Sequence, residues 1–369
     1  MSQYDVESYP PLFRQPSIPF AISGVDPIEP TKQVLDSDPL PTIDLQSINH
    51  EQLSDACRDW GIFRLVNHGI PVTLLNHLHD HASKTFNLGF ESKQALFTSP
   101  IAYFWGTPAL TPAGVALQRG PHAQSFNWVE GLNVPLSLLS LFKAEDSLLQ
   151  SLRLLLEEYG NHQSRLARTI FEAMAENLKM SAEQSEGYLS PSTGLLRLYR
   201  YPRACSSLAN QAWGMDVHTD SSVLSILYQH EVEGLQINRG DDTWLDVKPI
   251  PNTLVVHLGD MMQIFGAVKL QNISCLLQLR IQAPVQQTTK ICRSKVICDD
   301  SYKSVKHRVK LDKNKERISI GYFVFPDENC VIHSSRYKPF TYADFRAQVQ
   351  QDLKTIGFKV GLPKFRLAE

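Results

Sequence analysis

The sequence predicts a mainly β protein braced by flanking helices and entered through an α/β segment. Three observations carry this. From about residue 193 onward, short runs with period-two or continuous apolar character follow one another: "GLLRLYRY", "LSILYQ", "GLQIN", "TWLDVK", "TLVVHLG", "SVKHRVK" and "RISIGYFVF". Turn residues separate them at the spacing of an antiparallel sandwich or barrel. Ahead of them, "EDSLLQSLRLLLEEYGNHQSRLARTIFEAMAENLKM" has apolar residues at helical spacing and is the longest expected helix, suited to bracing a sheet. The third observation is the alternation of helical and strand patterns between "LPTIDL" and "TFNL".

Taken in order, residues 1–38 are rich in Pro, Ser and Asp with little periodicity and read as an extended leader. Residues 39–150 form an N-terminal region. In it "INHEQLSDACRDW" reads as a short helix, "GIFRLVNHG" as a strand ending in a turn, and "PVTLLNHLHDHASKTFNL" as a helix with Pro71 near its first turn. Residues 95–140 carry several Pro and Gly and are expected to be mostly loop, of the kind that lines binding sites. Residues 151–369 hold the strand-rich unit with its bracing helices. Its last helix, "TYADFRAQVQQDLKTIG", has Thr341 as N-cap and Gly357 as stop.

Composition narrows the function. With 36 basic against 38 acidic side chains the net charge is close to zero, which argues against nucleic acid or an acidic membrane surface and for a small-molecule partner. Six cysteines without a CxxC pair suit free thiols in a reducing compartment, and the N-terminus lacks the basic start and apolar run of a signal peptide. A cytoplasmic monomer is expected.

Candidate chemistry begins with "DVHTDSS", where His218 and Asp220 stand two apart. On a strand, positions i and i+2 share a face, so an imidazole and a carboxylate would project together into the barrel. Alone, the pair reads equally as a polar loop. His307 in "YKSVKHRVK" lies on a later expected strand and alone reads as a core histidine. Two His and one carboxylate on neighbouring strands, however, make the facial triad that holds non-haem Fe(II) and leaves three positions open. Ten residues further, Arg317 and Ser319 share one face of "ERISIGYF", a guanidinium and hydroxyl suited to a carboxylate, and Tyr201 in "LYRYP" offers a third donor. The plainer reading of Arg317 is a surface strand arginine paired with an acid.

With these residues in place the chain resembles the plant 2-oxoglutarate- and Fe(II)-dependent dioxygenases over nearly its whole length from Leu40. "LPTIDL", "ACRDWGIFRLVNHGIP", "LRLYRYP", "HTD", "LSILYQHEVEGLQI", "LVVHLGDMMQ", "YKSVKHRV" and "RISIGYF" are similar to family blocks and stand in the family's order. The resemblance implies a double-stranded β-helix, or jelly roll, with Fe(II) on His218, Asp220 and His307. It also implies that the distal carboxylate of 2-oxoglutarate sits on Arg317 and Ser319 with help from Tyr201. O2 is the second co-substrate and ascorbate a reductant. Such enzymes convert 2-oxoglutarate and O2 to succinate and CO2 while hydroxylating an unactivated C–H bond, and no catalytic side chain beyond the metal centre is implied. One departure stands out: the family usually has Asn two residues before the Tyr, where this chain has Tyr199.

"AYFWGTPALTP", "NWVEGLNVP" and "LYRYP" are similar to segments of gibberellin oxidases and gibberellin-oxidase-like proteins, which implies a small hydrophobic plant metabolite, gibberellin among the candidates, as substrate. Phe104, Trp105, Phe126 and Trp128 are candidates for an apolar wall against it; the alternative is that they pack the loop onto the core. An isopenicillin-N-synthase-type oxidase would keep the triad without 2-oxoglutarate, and a non-catalytic small-molecule-binding jelly roll is the alternative of a different class. Between "GDMMQIF" and "CDDSYKSVKHRV" lie 32 residues, 266–297, that have no counterpart in the family pattern. They carry five basic and no acidic side chains. Either they are a loop inserted at a hairpin or they are translated non-coding sequence in a splice or gene-model variant of impaired activity; the pattern favours the second.

Overall fold

The computed structural model describes residues 6–11, 39–106, 127–144, 146–180, 188–189, 191–203, 213–240, 243–264 and 300–367. Most of the expected leader, Phe126 and the whole of 266–297 therefore lie outside the described residues.

Chain entry follows the expected order. Strand β1 (Thr42–Asp44) leads to helix α1 (His50–Asp55), whose N-cap Asn49 accepts from the Gln52 amide. The helix runs on through a wider turn, Ala56–Trp60, and stops at Gly61, whose φ of 68° is a left-handed conformation that costs Gly little. Strand β2 (Ile62–Val66) pairs in parallel with β1. Helix α2 (Val72–Phe86) starts directly after Pro71 and buries Leu74, Leu75, Leu78, Ala82 and Phe86 at helical spacing.

The region expected to be mostly loop contains two strands. After the short helix α3 (Phe90–Leu96), β3 (Ala102–Trp105) pairs with β4 (Glu130–Pro135), and β4 pairs with β5 (Leu195–Tyr201). Pro and Gly obscured them: Pro135 and Gly131 lie inside β4, where edge-side pairing and a missing side chain are tolerated. Helix α4 (Ser147–Asn177), capped by Asp146, is the long brace, and its apolar stripe packs on α2 and the sheet.

The next strands are β6 (Met215–His218), β7 (Leu224–Gln229), β8 (Leu235–Asn238), β9 (Trp244–Asp246), β10 (Leu254–Leu258), β11 (His307–Val309) and β12 (Arg317–Val324), and a separate two-stranded ribbon, β13 (Val331–Ile332) and β14 (Phe340–Thr341), follows them. Strands β6 to β12 complete two sheets: eight strands in the order β1-β2-β10-β7-β12-β5-β4-β3, and four in the order β6-β11-β8-β9. Apolar side chains of both sheets interdigitate. Tyr199, Tyr201 and Phe323 of the large sheet meet Met215 and Val309 of the small one, and Ile62 and Val255 meet Leu235, Ile237 and Leu245. That is a jelly roll with helices on the outer face of its large sheet. A four-residue helix, α5 (Asp260–Gln263), follows β10, and α6 (Tyr342–Thr355) closes the chain with the capping box of Thr341 and Asp344. Among the described residues no helix is long and apolar enough to cross a membrane.

A candidate metal centre and co-substrate pocket

His218 ends β6 and His307 opens β11, and the two are direct antiparallel partners, so their imidazoles emerge side by side with ring centroids 4.2 Å apart. Asp220 is not on a strand as expected. It lies in the turn just past β6, and its carboxylate reaches back to within 3.8 Å of His218 Nε2 and 3.6 Å of His307 Nε2. One ligand atom from each of the three fits within a 4.8 Å span.

Backbone contacts set the tautomers. His218 Nδ1 stands 2.7 Å from the Asp216 carbonyl and His307 Nδ1 3.1 Å from the Val305 carbonyl. A carbonyl only accepts, so each Nδ1 carries the proton and each Nε2 turns a lone pair toward the shared centre. Burial, then the neighbouring His307, pushes His218 down to about 3, which keeps it a neutral donor. Burial pushes the Asp220 carboxyl up, but the imidazoles of His307, His257 and His218 and the Ser225 hydroxyl outweigh it and hold the group below its ordinary value. Two imidazoles that present Nε2 and one carboxylate are the donor set of a facial-triad site.

The turn that carries Asp220 is gripped from behind by "GDMMQ". Gly259 has no room for a side chain, since a Cβ there would stand 2.0 Å from the Ser222 carbonyl oxygen. This close approach lets the Asp260 amide donate to the Asp220 carbonyl at 2.8 Å, while Lys359 Nζ binds the Asp260 carboxylate at 2.7 Å and the Thr219 carbonyl at 2.8 Å. Lys359 is a positioning residue that the sequence did not signal, because it lies some 140 positions from the turn it holds.

Deeper in the barrel, Arg317 is only 2% exposed. It pairs across strands with Tyr201, and Ser319 pairs with Gln229 of β7. The guanidinium donates to Ser319 Oγ at 3.1 Å and to Gln229 Oε1 at 2.9 Å, and it lies 5.1 Å from the centre of the Tyr201 ring. Gln229 was missed because it resembles any polar strand end. Among the described residues no carboxylate pairs with Arg317, and its Nε is buried without a partner. A buried cation without an acid is set up to receive an anion.

Triad and arginine cluster open on one cavity of about 890 Å³. Its outer wall includes Leu138, Leu195, Arg197, Phe323, Phe325 and Phe358. Phe104, Trp105 and Trp128 are not among the described residues that line it. They pack instead into the inter-sheet cluster, Phe104 against Tyr199 and both tryptophans against Tyr9. Phe126 lies outside the described residues.

A jelly roll with this donor set beside a buried, acid-free arginine defines a class, the mononuclear non-haem metal oxygenases. Comparison with known proteins narrows it. The profile of the 2OG-Fe(II) oxygenase superfamily matches residues 193–273, and that of the N-terminal domain of non-haem dioxygenases in morphine synthesis matches 40–160. Gibberellin 2-beta-dioxygenase 8 of Arabidopsis thaliana is 31% identical over 321 residues, covering 85% of this chain and 80% of the relative. Gibberellin 2-beta-dioxygenase 6 of Oryza sativa subsp. japonica is 30% identical over 353 residues, covering 90% and 86%. The fold matches the crystal structure of JOX2 in complex with 2OG, Fe and JA with a TM-score of 0.66 at 23% identity, over 89% of each chain. It matches the rice dioxygenase for auxin oxidation with a TM-score of 0.61 at 20% identity, over 89% of this chain and all of that one. The chain belongs to the 2-oxoglutarate- and Fe(II)-dependent oxygenase superfamily. It is accordingly a 2-oxoglutarate-dependent dioxygenase that uses Fe(II) and O2.

Proposed function

We propose that this enzyme hydroxylates a small hydrophobic plant metabolite of the gibberellin type, with Fe(II) on His218, Asp220 and His307 and 2-oxoglutarate anchored by Arg317. What carries the assignment of residues is the convergence of His218, Asp220 and His307 with both Nε2 atoms turned inward. Bound iron supplies the activation of O2 coupled to decarboxylation of 2-oxoglutarate. The protein's own contribution is placement. Arg317 donates to the distal carboxylate, Gln229 and Ser319 fix the direction of the guanidinium, and Tyr201 covers it. Leu138, Leu195, Phe323, Phe325 and Phe358 would receive the apolar body of a substrate in the same cavity as the metal donors.

Support for a gibberellin-type substrate comes from the two relatives at 30–31% identity and from a cavity whose size suits a terpenoid acid. The test is succinate release across a panel of gibberellins and other hydrophobic plant acids. Turnover that needs both Fe(II) and 2-oxoglutarate and disappears in His218→Ala is the expected result; a His218→Ala enzyme with unchanged metal affinity would refute the ligand set. Scattered cysteines and a near-neutral charge support a cytoplasmic monomer, which size-exclusion chromatography and a fluorescent fusion will check.

One observation bears on 266–297. Gln263 and Asp300, which bracket this segment, are hydrogen-bonded to each other twice at 3.0 Å, and Gln263 Oε1 also accepts from the Ser304 amide at 2.8 Å. The strand that carries His307 is thus tied to α5 directly. This supports an active enzyme whose His307 strand is joined to α5 independently of 266–297.

A further inference from the structure

His257 is the polar residue of "LVVHL" in β10, and its side chain is 3% exposed. It shares its strand face with Val255, which packs among Ile62, Leu235, Ile237 and Val305 between the sheets. Its cross-strand neighbours are Ser225 on β7 and Ile62 on β2. One side of the ring meets apolar strand neighbours and the other the His307 ring. The imidazole has no hydrogen-bond partner on either Nδ1 or Nε2. Leaving a buried polar group unsatisfied costs on the order of 1–3 kcal/mol, and native proteins rarely carry such a group without a use for it.

The position says where a partner comes from. His257 lines the same cavity as the triad, and its ring centre is 4.6 Å from that of His307. It is nonetheless outside the set of side chains whose donor atoms converge, so it is placed beside the metal rather than on it. We propose that His257 is a positioning residue of the metal centre, hydrogen-bonding an oxygen ligand of the metal: a bound water, or the 2-oxoglutarate oxygen that replaces it. This rests on the metal centre described above. It accounts for a histidine on an apolar strand face: no protein group bonds either ring nitrogen, which leaves both for an oxygen ligand of the metal. No side chain of the described residues competes for it.

The test compares wild type with His257→Leu, His257→Asn and His257→Gln in the full-length protein. Binding of Mn(II), alone and together with 2-oxoglutarate, is followed by calorimetry, and the unfolding midpoint of the metal-free protein is measured beside it. His257→Leu is expected to bind about three- to tenfold more weakly, the worth of one neutral hydrogen bond. Its metal-free midpoint is expected to stay level or rise, because an orphaned polar group has been removed. One of the two amides, which mimic Nδ1 and Nε2 in turn, is expected to restore affinity. Weakening already with Mn(II) alone identifies the water; weakening only with 2-oxoglutarate identifies the co-substrate. Wild-type affinity in His257→Leu would overturn the proposal, as would a lowered metal-free midpoint with a loss neither amide recovers. A wild type that binds no Mn(II), or a His218→Ala control that binds it fully, would instead overturn the metal centre itself and this inference with it.

Discussion

Replacing Glu130 with Gln removes the shared counter-charge of two buried cations. Glu130 is fully buried on β4, directly across from Arg200 on β5. Lys93 Nζ lies 2.6 Å from one carboxylate oxygen and Arg200 Nη2 2.5 Å from the other, while the Tyr103 hydroxyl donates to the first at 2.5 Å. Each ion pair has a gross attraction of about 6 kcal/mol at an effective dielectric of about 20, most of it offset by the water both groups gave up on folding. Removing one partner leaves that desolvation uncompensated, at about 3–5 kcal/mol. Burial already pulls Lys93 down to about 8 with Glu130 present, so without it Lys93 sheds its proton near neutral pH. Arg200 keeps its charge, with only the part-exposed Glu316 carboxylate, 3.9 Å away, left to balance it. Glu130→Gln should therefore fall near 3 kcal/mol, read as the shift in urea midpoint at unchanged m-value. Lys93→Met, which leaves the Glu130 and Arg200 pair intact, should cost much less. A Glu130→Gln loss under about 1 kcal/mol, or one smaller than that of Lys93→Met, would refute this electrostatic account.

Acid should destabilise the metal-free protein. His218 and His257 are each held near 3 by burial, against an ordinary 6.5, so below pH 6.5 the unfolded chain takes up protons that the folded one refuses. Stability is complete above about pH 6.5 and falls as pH drops toward 3; at pH 5.5 the two groups together should lower it by about 3 kcal/mol relative to pH 7.5, measurable by urea unfolding at the two values. Gly259→Ala should cost about 2 kcal/mol and weaken Mn(II) binding, because the added methyl displaces the Ser222 backbone two residues from Asp220; wild-type metal affinity in this variant would contradict the role given to that close approach. Deleting 266–297 should leave soluble protein with undiminished Fe(II)-dependent 2-oxoglutarate turnover, since Gln263 and Asp300 already meet. Loss of turnover would show that the segment belongs to the working enzyme.

The pattern of apolar residues was enough to read the strand-rich half, α2, α4 and α6, because each buries one regular face and periodicity records burial. Strands β3 and β4 were hidden, since Gly131 and Pro135 carry local signals of turns that pairing with β5 overrides. The three metal donors and the Arg317, Ser319 and Tyr201 set were legible as residue types at telling spacings. The role of the aromatics was not: Phe104, Trp105 and Trp128 are apolar in either setting, and only the tertiary structure packs them against Tyr9 and Tyr199.

By itself, then, the sequence determined the family and pointed to the candidate donors His218, Asp220 and His307, because these depend on residue identity and order. Tertiary structure alone decided that Asp220 reaches His218 and His307 from beyond a strand, that Gln229 and Lys359 hold Arg317 and that segment in place, and that His257 packs its ring beside His307. Those facts depend on which strands become neighbours across gaps of tens to more than a hundred residues. No local pattern records such pairings, since they are set by how two sheets close over a shared core.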